Sequence, residues 1–175
     1  LDFSQTLKEK ISYGLGFDYK YDWGEFQNRG SYTANTKGNS NNLATYGNLG
    51  LKIFDDTNIS LFLRNDRHKQ TGDNNTYKVD LSKIFGNLKI GAAHMTGLRN
   101  PTIYELYGTD NYGYSGNKNL NPEKSSTNEI YSNLFINENM DLTIRGFRTG
   151  IHEHIEYKSN RYVNSKGVDL VQNGI

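Results

Sequence analysis

His152, Glu153, His154 and Glu156 form the one cluster in the sequence whose side chains are of metal-ligating type. On a strand, His152, His154 and Glu156 share a face, where they could hold zinc or copper. The plainer reading is polar filling of an interior wall. It is preferred, so no metal and no other cofactor is expected. Glu105, Glu123 and Glu129 are acid/base types, but nothing in their spacing sets two of them around a scissile bond. No Ser/His/Asp arrangement, phosphate-binding loop or Cys-x-x-Cys pair accompanies them. The chain is expected not to be an enzyme.

Binding chemistry concentrates elsewhere. Tyr104, Tyr107, Tyr112 and Tyr114 crowd one stretch together with Arg99 and Lys118. Rigid amphipathic rings with a few cations suit the capture of a bulky or anionic chelate. Arg99, Tyr107, Tyr112, Tyr114 and Lys118 are therefore the candidate ligand-binding set. Tyr104 and Tyr107 fit better as anchors of the stretch to its support, whereas Tyr112 and Tyr114 fit either role.

The elements that must position these residues are strands. The stretch from Gly97 to Ser125 holds both prolines of the chain, Pro101 and Pro122. Proline donates nothing to a β-ladder, so a segment framed by two of them reads as a large ordered loop. Before it, Ile11, Tyr13, Leu15, Phe17, Tyr19, Tyr21 and Trp23 alternate with charged residues, serine and glycine, which is a long strand with one apolar face. Alternation resumes over Leu43 to Ile53, Ile59 to Leu63, Tyr77 to Phe85 and Leu88 to Ala92. Beyond the loop come a strand of unassigned phase over Thr127 to Ile136, another from Met140 whose apolar phase switches near Gly146 or Gly150, and a last one starting near Tyr162. The phase switch predicts a bulge.

Short turns at Lys8, Asp55, Gly86 and Asn137 alternate with longer loops at Gly24 to Asn42, Lys69 to Asn75 and Gly97 to Ser125. Only the short connection near Asn160 breaks the rule. Antiparallel outer-membrane barrels have this asymmetry, with short turns on the periplasmic side and long loops outside. Tyr19, Tyr21 and Trp23 at a loop end suit an interfacial girdle; Phe54, Phe85 and Phe135 near short turns supply less of one.

Composition narrows the class further. Apolar residues are 34% of the 175, too few for an ordinary soluble core, yet aromatics reach 13%, too many for a disordered chain. A net charge of +1 gives no electrostatic case for nucleic acid. The absence of cysteine decides little. The chain begins at Leu1 with no signal peptide and reads as a piece of something longer.

The stretch Gly97, Arg99, Pro101, Thr102, Leu106, Tyr107, Gly108, followed by Asn119, Leu120, Pro122, Glu123, Lys124, Ser125 and Glu129, resembles the barrel domain of TonB-dependent outer-membrane transporters. Leu98 and Asn100 depart from the family pattern of an aromatic and an alanine. Arg64, Asp66 and His68 resemble the Arg-x-Asp-x-His that precedes an extracellular loop in this family, and Tyr162, Asn164 and Gly174 resemble its later Tyr-x-Asn and glycine. The chain stops at Ile175, one residue before an expected Glu.

The resemblance implies a barrel of about 22 strands with a plugged lumen. Such a barrel takes ~220 residues in strands alone at ~10 per strand. This all-β chain is accordingly expected to be a mid-barrel segment spanning residues 1–175: an open, curved antiparallel sheet of about eight strands, without the plug or the closing strands. Also implied are outer-membrane lipid as surroundings, and uptake of cobalamin or a ferric siderophore driven by the TonB–ExbB–ExbD system through the plug. The competing classes are a passive porin-like barrel and a soluble β-sandwich binding module or adhesin. The last would bury the Ile11 to Trp23 face against a second sheet.

Overall fold

The computed structural model describes residues 2–7, 10–28, 30, 33–165 and 170–174. In chain order the elements are β1 (Asp2–Leu7), β2 (Ile11–Asn28), β3 (Ala34–Phe54), β4 (Thr57–His68), β5 (Gly72–Phe85), β6 (Leu88–Arg99), α1 (Ile103–Tyr107), β7 (Thr109–Asp110), β8 (Glu123–Asn137), β9 (Met140–His152), β10 (Ile155–Lys158), β11 (Arg161–Asn164) and β12 (Leu170–Gly174). Nine of them form one antiparallel meander in the order β1-β2-β3-β4-β5-β6-β8-β9-β12. Its two ends do not meet. The fold is the expected open antiparallel sheet, not a closed small barrel.

Register follows from the side-chain period of two. Leu15 faces Gly47, Leu49 faces Leu61, Leu61 faces Val79, Leu81 faces Ala92, and Ala92 faces Ile130. One face of the sheet is therefore apolar from strand to strand, and a slip of one residue anywhere would turn a strand inside out. That face is uncovered: Leu15 is 64% and Trp23 71% exposed. A β-sandwich would have buried this face, whereas a barrel wall turns it to lipid.

The opposite face is polar and cross-linked. Arg64 donates to both oxygens of Asp66 at 2.8 and 2.9 Å, and Arg145 donates to Glu129 at 2.9 Å. Tyr131 on β8 reaches Asp80 on β5 across the intervening β6. A Cβ at Gly91 would collide with the Tyr131 ring, so glycine there lets the ring lie across the wall.

Connections at one end, Asp55–Asp56, Gly86–Asn87 and Glu138–Asn139, are two residues each. At the other end they are longer but unequal, and here several expectations are corrected. Gly24 to Asn42 is not a loop: β2 and β3 remain paired up to Asn28 and Ala34. Apart from Phe26 and Ala34 the described residues of this tip are polar or glycine, so no apolar alternation marked it. At ~3.3 Å per residue the 21 residues of β3 run ~70 Å, more than twice the ~30 Å hydrocarbon thickness of a bilayer. Lys69 to Asn75 shrinks to three residues, because His68 already pairs with Gly72.

No bulge lies at Gly146 or Gly150, since β8 and β9 stay in register from Lys124 with His152 to Phe135 with Asp141. The apolar phase changes for another reason: Ile151 lies on the inner face and Ile155 has left the strand. Tyr162 does not open the last wall strand. It belongs to the β10–β11 hairpin, which sits inside the connection from β9 to β12, so the turn near Asn160 is the tip of an insert and that connection is long like its neighbours. The turn expected at Lys8 and Glu9, and the terminal Ile175, lie outside the described residues.

Candidate functional site

The loop after β6 folds back over the inner face of the sheet. Pro101 is buried and leads into Thr102, whose hydroxyl caps α1 by accepting from the Glu105 amide at 3.2 Å. The Glu105 carboxylate in turn accepts from the Thr102 amide at 2.7 Å. This reciprocal capping box stabilises a single helical turn that tertiary contacts must otherwise support. Gly108 closes the turn onto the Tyr104 carbonyl, and any Cβ there would press on that carbonyl and on the Tyr114 ring. Pro101, Thr102, Glu105, Leu106, Tyr107 and Gly108 thus encode a capped turn, where sequence reading gave only loop.

Beneath the turn, Leu106 is fully buried and packs with Leu120 and Ile155, flanked by Tyr107 and Tyr162. Ile155 comes from the β10–β11 hairpin, so two separate connections share one small core. Their union is hydrogen-bonded throughout. Asn121 and Asn164 exchange backbone and side-chain bonds at 2.9 and 3.0 Å, Asn117 donates to the Tyr162 carbonyl, and the Ser115 amide donates to the Asn160 carbonyl. Tyr104 stacks on Tyr114 with ring centroids 4.9 Å apart, and Tyr157 and Tyr162 close the cluster edge-on. We refer to this unit, residues 100–122 with 153–165, as the cap.

Glu123, the first residue of β8 and above the outward apolar band, joins cap to wall. Its carboxylate accepts from Arg99 at 2.5 Å, from the Ile155 amide at 2.7 Å and from His154 Nδ1 at 2.8 Å. Burial alone would raise its pKa, but the Arg99 guanidinium and the Ile155 amide outweigh it and hold the carboxyl down at about 2. Arg99 also reaches Glu105 at 3.2 Å, and its own pKa is raised, chiefly by the bond to Glu123. Burial pushes the Tyr114 phenol up; its hydroxyl donates to the Tyr104 carbonyl at 2.7 Å.

Of the candidate ligand residues, the structure thus works Arg99, Tyr107 and Tyr114 into the cap's own packing. Tyr107 lies flat against β3, where a Cβ at Gly38 would meet its ring, and its hydroxyl accepts from Gln70 at 3.0 Å. Tyr112 is 65% exposed, and Lys118 is exposed above the Tyr107 ring at 5.6 Å. Asn119 and Lys124 are exposed, Ser125 and Glu129 lie on the inner face of β8, and Pro122 is buried.

The histidine pair separates. His152 ends β9 on the outward face opposite Lys124; Glu153 then takes a left-handed φ of 54° and turns the chain, so His154 points back to Glu123. The shared face for His152, His154 and Glu156 does not exist. Among the described residues no three His, Cys, Asp or Glu side chains converge as a metal site.

The inner wall under the cap was not legible as a site. His68 and Ser40 meet at 2.7 Å; the Ser40 hydroxyl donates to Gln70 Oε1 at 3.0 Å, and Gln70 passes the chain to Tyr107. On its other side His68 Nδ1 faces Thr71, whose hydroxyl meets Asn100 at 2.8 Å. The Arg64, Asp66 and His68 pattern is thereby explained: alternate residues of β4 share the inner face, and the topmost reaches the cap. Between cap and wall runs a groove of about 650 Å³, edged by Lys20, Asp22, Phe26, His68, Ile103 and Tyr104. Thr36 Oγ1 and Asn42 Oδ1, buried along it, have no protein partner. The signal that could have found these residues is parity, since Thr36, Ser40 and Asn42 continue the face opposite to Leu43 and Leu49.

An open meander with a polar inner wall, a lipid-type outer face and a capped loop folded over one mouth is the wall of a large barrel. The model of the TonB-dependent receptor-like β-barrel matches residues 1–172. The chain belongs to the TonB-dependent receptor family. Its members are outer-membrane β-barrels of Gram-negative bacteria, and the chain is a segment of such a barrel. It is 33% identical over 106 residues to the vitamin B12 transporter BtuB of Photobacterium profundum, a match covering 60% of this chain and 17% of that protein. The structure superposes on the ferric enterobactin receptor PfeA of Pseudomonas aeruginosa with a TM-score of 0.77 at 15% identity, covering 99% of this chain and 31% of that one. For the haemophore receptor HasR of Serratia marcescens the TM-score is 0.64 at 14% identity, covering 94% and 39%. The chain therefore spans less than two fifths of each of these relatives.

Proposed function

We propose that the complete receptor imports a scarce nutrient chelate across the outer membrane, driven by the TonB–ExbB–ExbD system acting on a plug that this segment would surround. The observation that carries this is the cap, an ordered lid docked over a groove on the inner wall at the loop end. A passive pore gains nothing from a roofed inner wall with buried polar atoms left for another partner. Cobalamin is the cargo to test first, because the likeness to a vitamin B12 transporter is one of sequence, whereas that to siderophore and haemophore receptors is one of fold. In this reading Tyr112 and Lys118 meet the cargo from outside, and Lys20, Asp22 and His68 line its route past the cap. Arg99, Tyr107 and Tyr114 act by holding the cap in shape. The receptor supplies binding and passage and no catalysis.

The test is accumulation of labelled cobalamin, ferric siderophore and haem by cells carrying the full-length gene as their one such receptor, with and without TonB. The expected result is concentrative uptake of one cargo, abolished when TonB is removed and reduced by Tyr112→Ala with Lys118→Ala. Uptake that merely equilibrates and persists without TonB would replace this reading with the porin-like one.

A further inference from the structure

The outer face of β6, β8 and β9 differs from the rest of the lipid-facing wall. Its outward positions run Leu88, Ile90, Ala92, His94, Thr96, Leu98 on β6, the even residues Lys124 to Leu134 on β8, and the even residues Met140 to His152 on β9. No Asp or Glu occurs among them, yet Lys124 and Arg148 stand there exposed, and neither pairs with a carboxylate among the described residues. Elsewhere the outer wall neutralises its cations: Arg67 donates to Asp73 at 2.9 Å and Lys83 meets Asp56 at 3.4 Å. An unpaired cation on a lipid-facing strand is tolerated near the interface because headgroups can answer it.

Directly below Arg148 these strands, together with β5, form an apolar groove of about 600 Å³. Val79 and Leu81 make one side and Ile130 the other; Ala92 and Gly146, opposite Ile130 on the neighbouring strands, keep the floor low. His94 and Asn128, bonded at 2.8 Å, lie level with Arg148 where the groove turns polar, and Tyr77 packs on His94 with centroids 5.6 Å apart. Lys124 lies four residues above Asn128 on β8, ~13 Å at the usual rise. That spacing suits two anionic groups on one headgroup.

We propose that this surface is a specific site for a phosphorylated glycolipid of the outer leaflet, with Arg148 and Lys124 on its phosphates and one acyl chain between Val79, Leu81 and Ile130. Charge complementarity selects this occupant: the patch is cationic without internal carboxylates, and it sits at the long-loop end of an outer-membrane wall. Guanidinium and ammonium groups bind phosphate by charge-assisted hydrogen bonds.

The test uses the full-length receptor, delipidated in detergent and titrated with bisphosphorylated lipid A, with the same lipid stripped of phosphate, and with inorganic phosphate, bound lipid being counted by native mass spectrometry. Lys124→Gln with Arg148→Gln is expected to weaken lipid A binding by on the order of tenfold or more. Arg67→Gln, whose cation is already paired, should leave it unchanged, and Gly146→Phe, which fills the groove, should weaken it. Heat-modifiable gel mobility verifies that each variant is a folded barrel. Equal affinity of the native protein and the double variant overturns the proposal, as does equal binding of the dephosphorylated lipid. Binding of inorganic phosphate as tightly as lipid A overturns the acyl-chain half of it.

Discussion

The wall and the cap are stabilised in opposite ways. Among the described residues, the buried apolar side chains of the wall are alanines, Ala34, Ala44 and Ala93, while the larger ones, Leu106, Tyr114, Leu120 and Ile155, all belong to the cap. The wall is held by ladders of backbone hydrogen bonds and by the lipid against it, which satisfies its outward face without a protein core. The cap stands in water and must carry a hydrophobic nucleus, a capping box and an ion-pair clamp of its own. One chain thus uses membrane-protein logic for its strands and soluble-protein logic for its lid.

Leu106→Ala strikes this difference hardest. Removing this side chain, the one fully buried large side chain among the described residues, should cost the cap about 3 kcal/mol. Hydrogen exchange should rise across 100–122 and 153–165 and stay unchanged in β3 to β5. Faster exchange in those strands as well would make cap and wall a single cooperative unit. Glu123→Gln comes next, since it weakens three contacts at once while leaving their geometry. With Arg99 half exposed, we expect about 2 kcal/mol, read as faster protease cleavage in the cap.

The same carboxyl makes the contrast pH-dependent. Its folded pKa, about 2, lies below the ordinary 4.5, so its stabilisation is complete above about 4.5 and drains away as pH falls toward 2. Cap exchange should accelerate through that window in the native protein and not in Glu123→Gln. Tyr114→Phe removes one buried hydrogen bond and should cost about 1 kcal/mol. Ile130→Ala, on the lipid face, should move cap stability by no more than about 0.5 kcal/mol, and a larger effect would show that the wall transmits strain to the cap.

The wall was legible in sequence wherever lipid imposes a period of two. Ile11 to Trp23 read correctly because every second residue must be apolar there. The same strands became unreadable above the membrane, where Asn35 to Asn42 is polar both on the face toward water and on the face under the cap, and leaves no apolar pattern. Cap chemistry was harder. Its motif residues were recognised, but not that Thr102 pairs with Glu105 or Arg99 with Glu123, because a capping box and an ion-pair clamp use the same side chains as a binding site. The face expected for His152, His154 and Glu156 failed for a different reason: a left-handed Glu153 has no sequence signature, and it turns the chain between the two histidines. Tyr114, a candidate contact in the sequence, lies buried against Tyr104, since aromatic content does not reveal which ring a chain folds over.

The two-residue turns at Asp55–Asp56, Gly86–Asn87 and Glu138–Asn139 have an evolutionary consequence. They leave little slack between the strands they join, so an inserted or deleted residue beside them reverses the faces of a whole strand unless a bulge absorbs it, as between Lys52 and Phe54 and between Phe135 and Asn137. At the opposite rim the capped loop and the β10–β11 hairpin lie outside the ladder, so a change of length there leaves that phase untouched. Tolerance of length change is therefore split between the two rims.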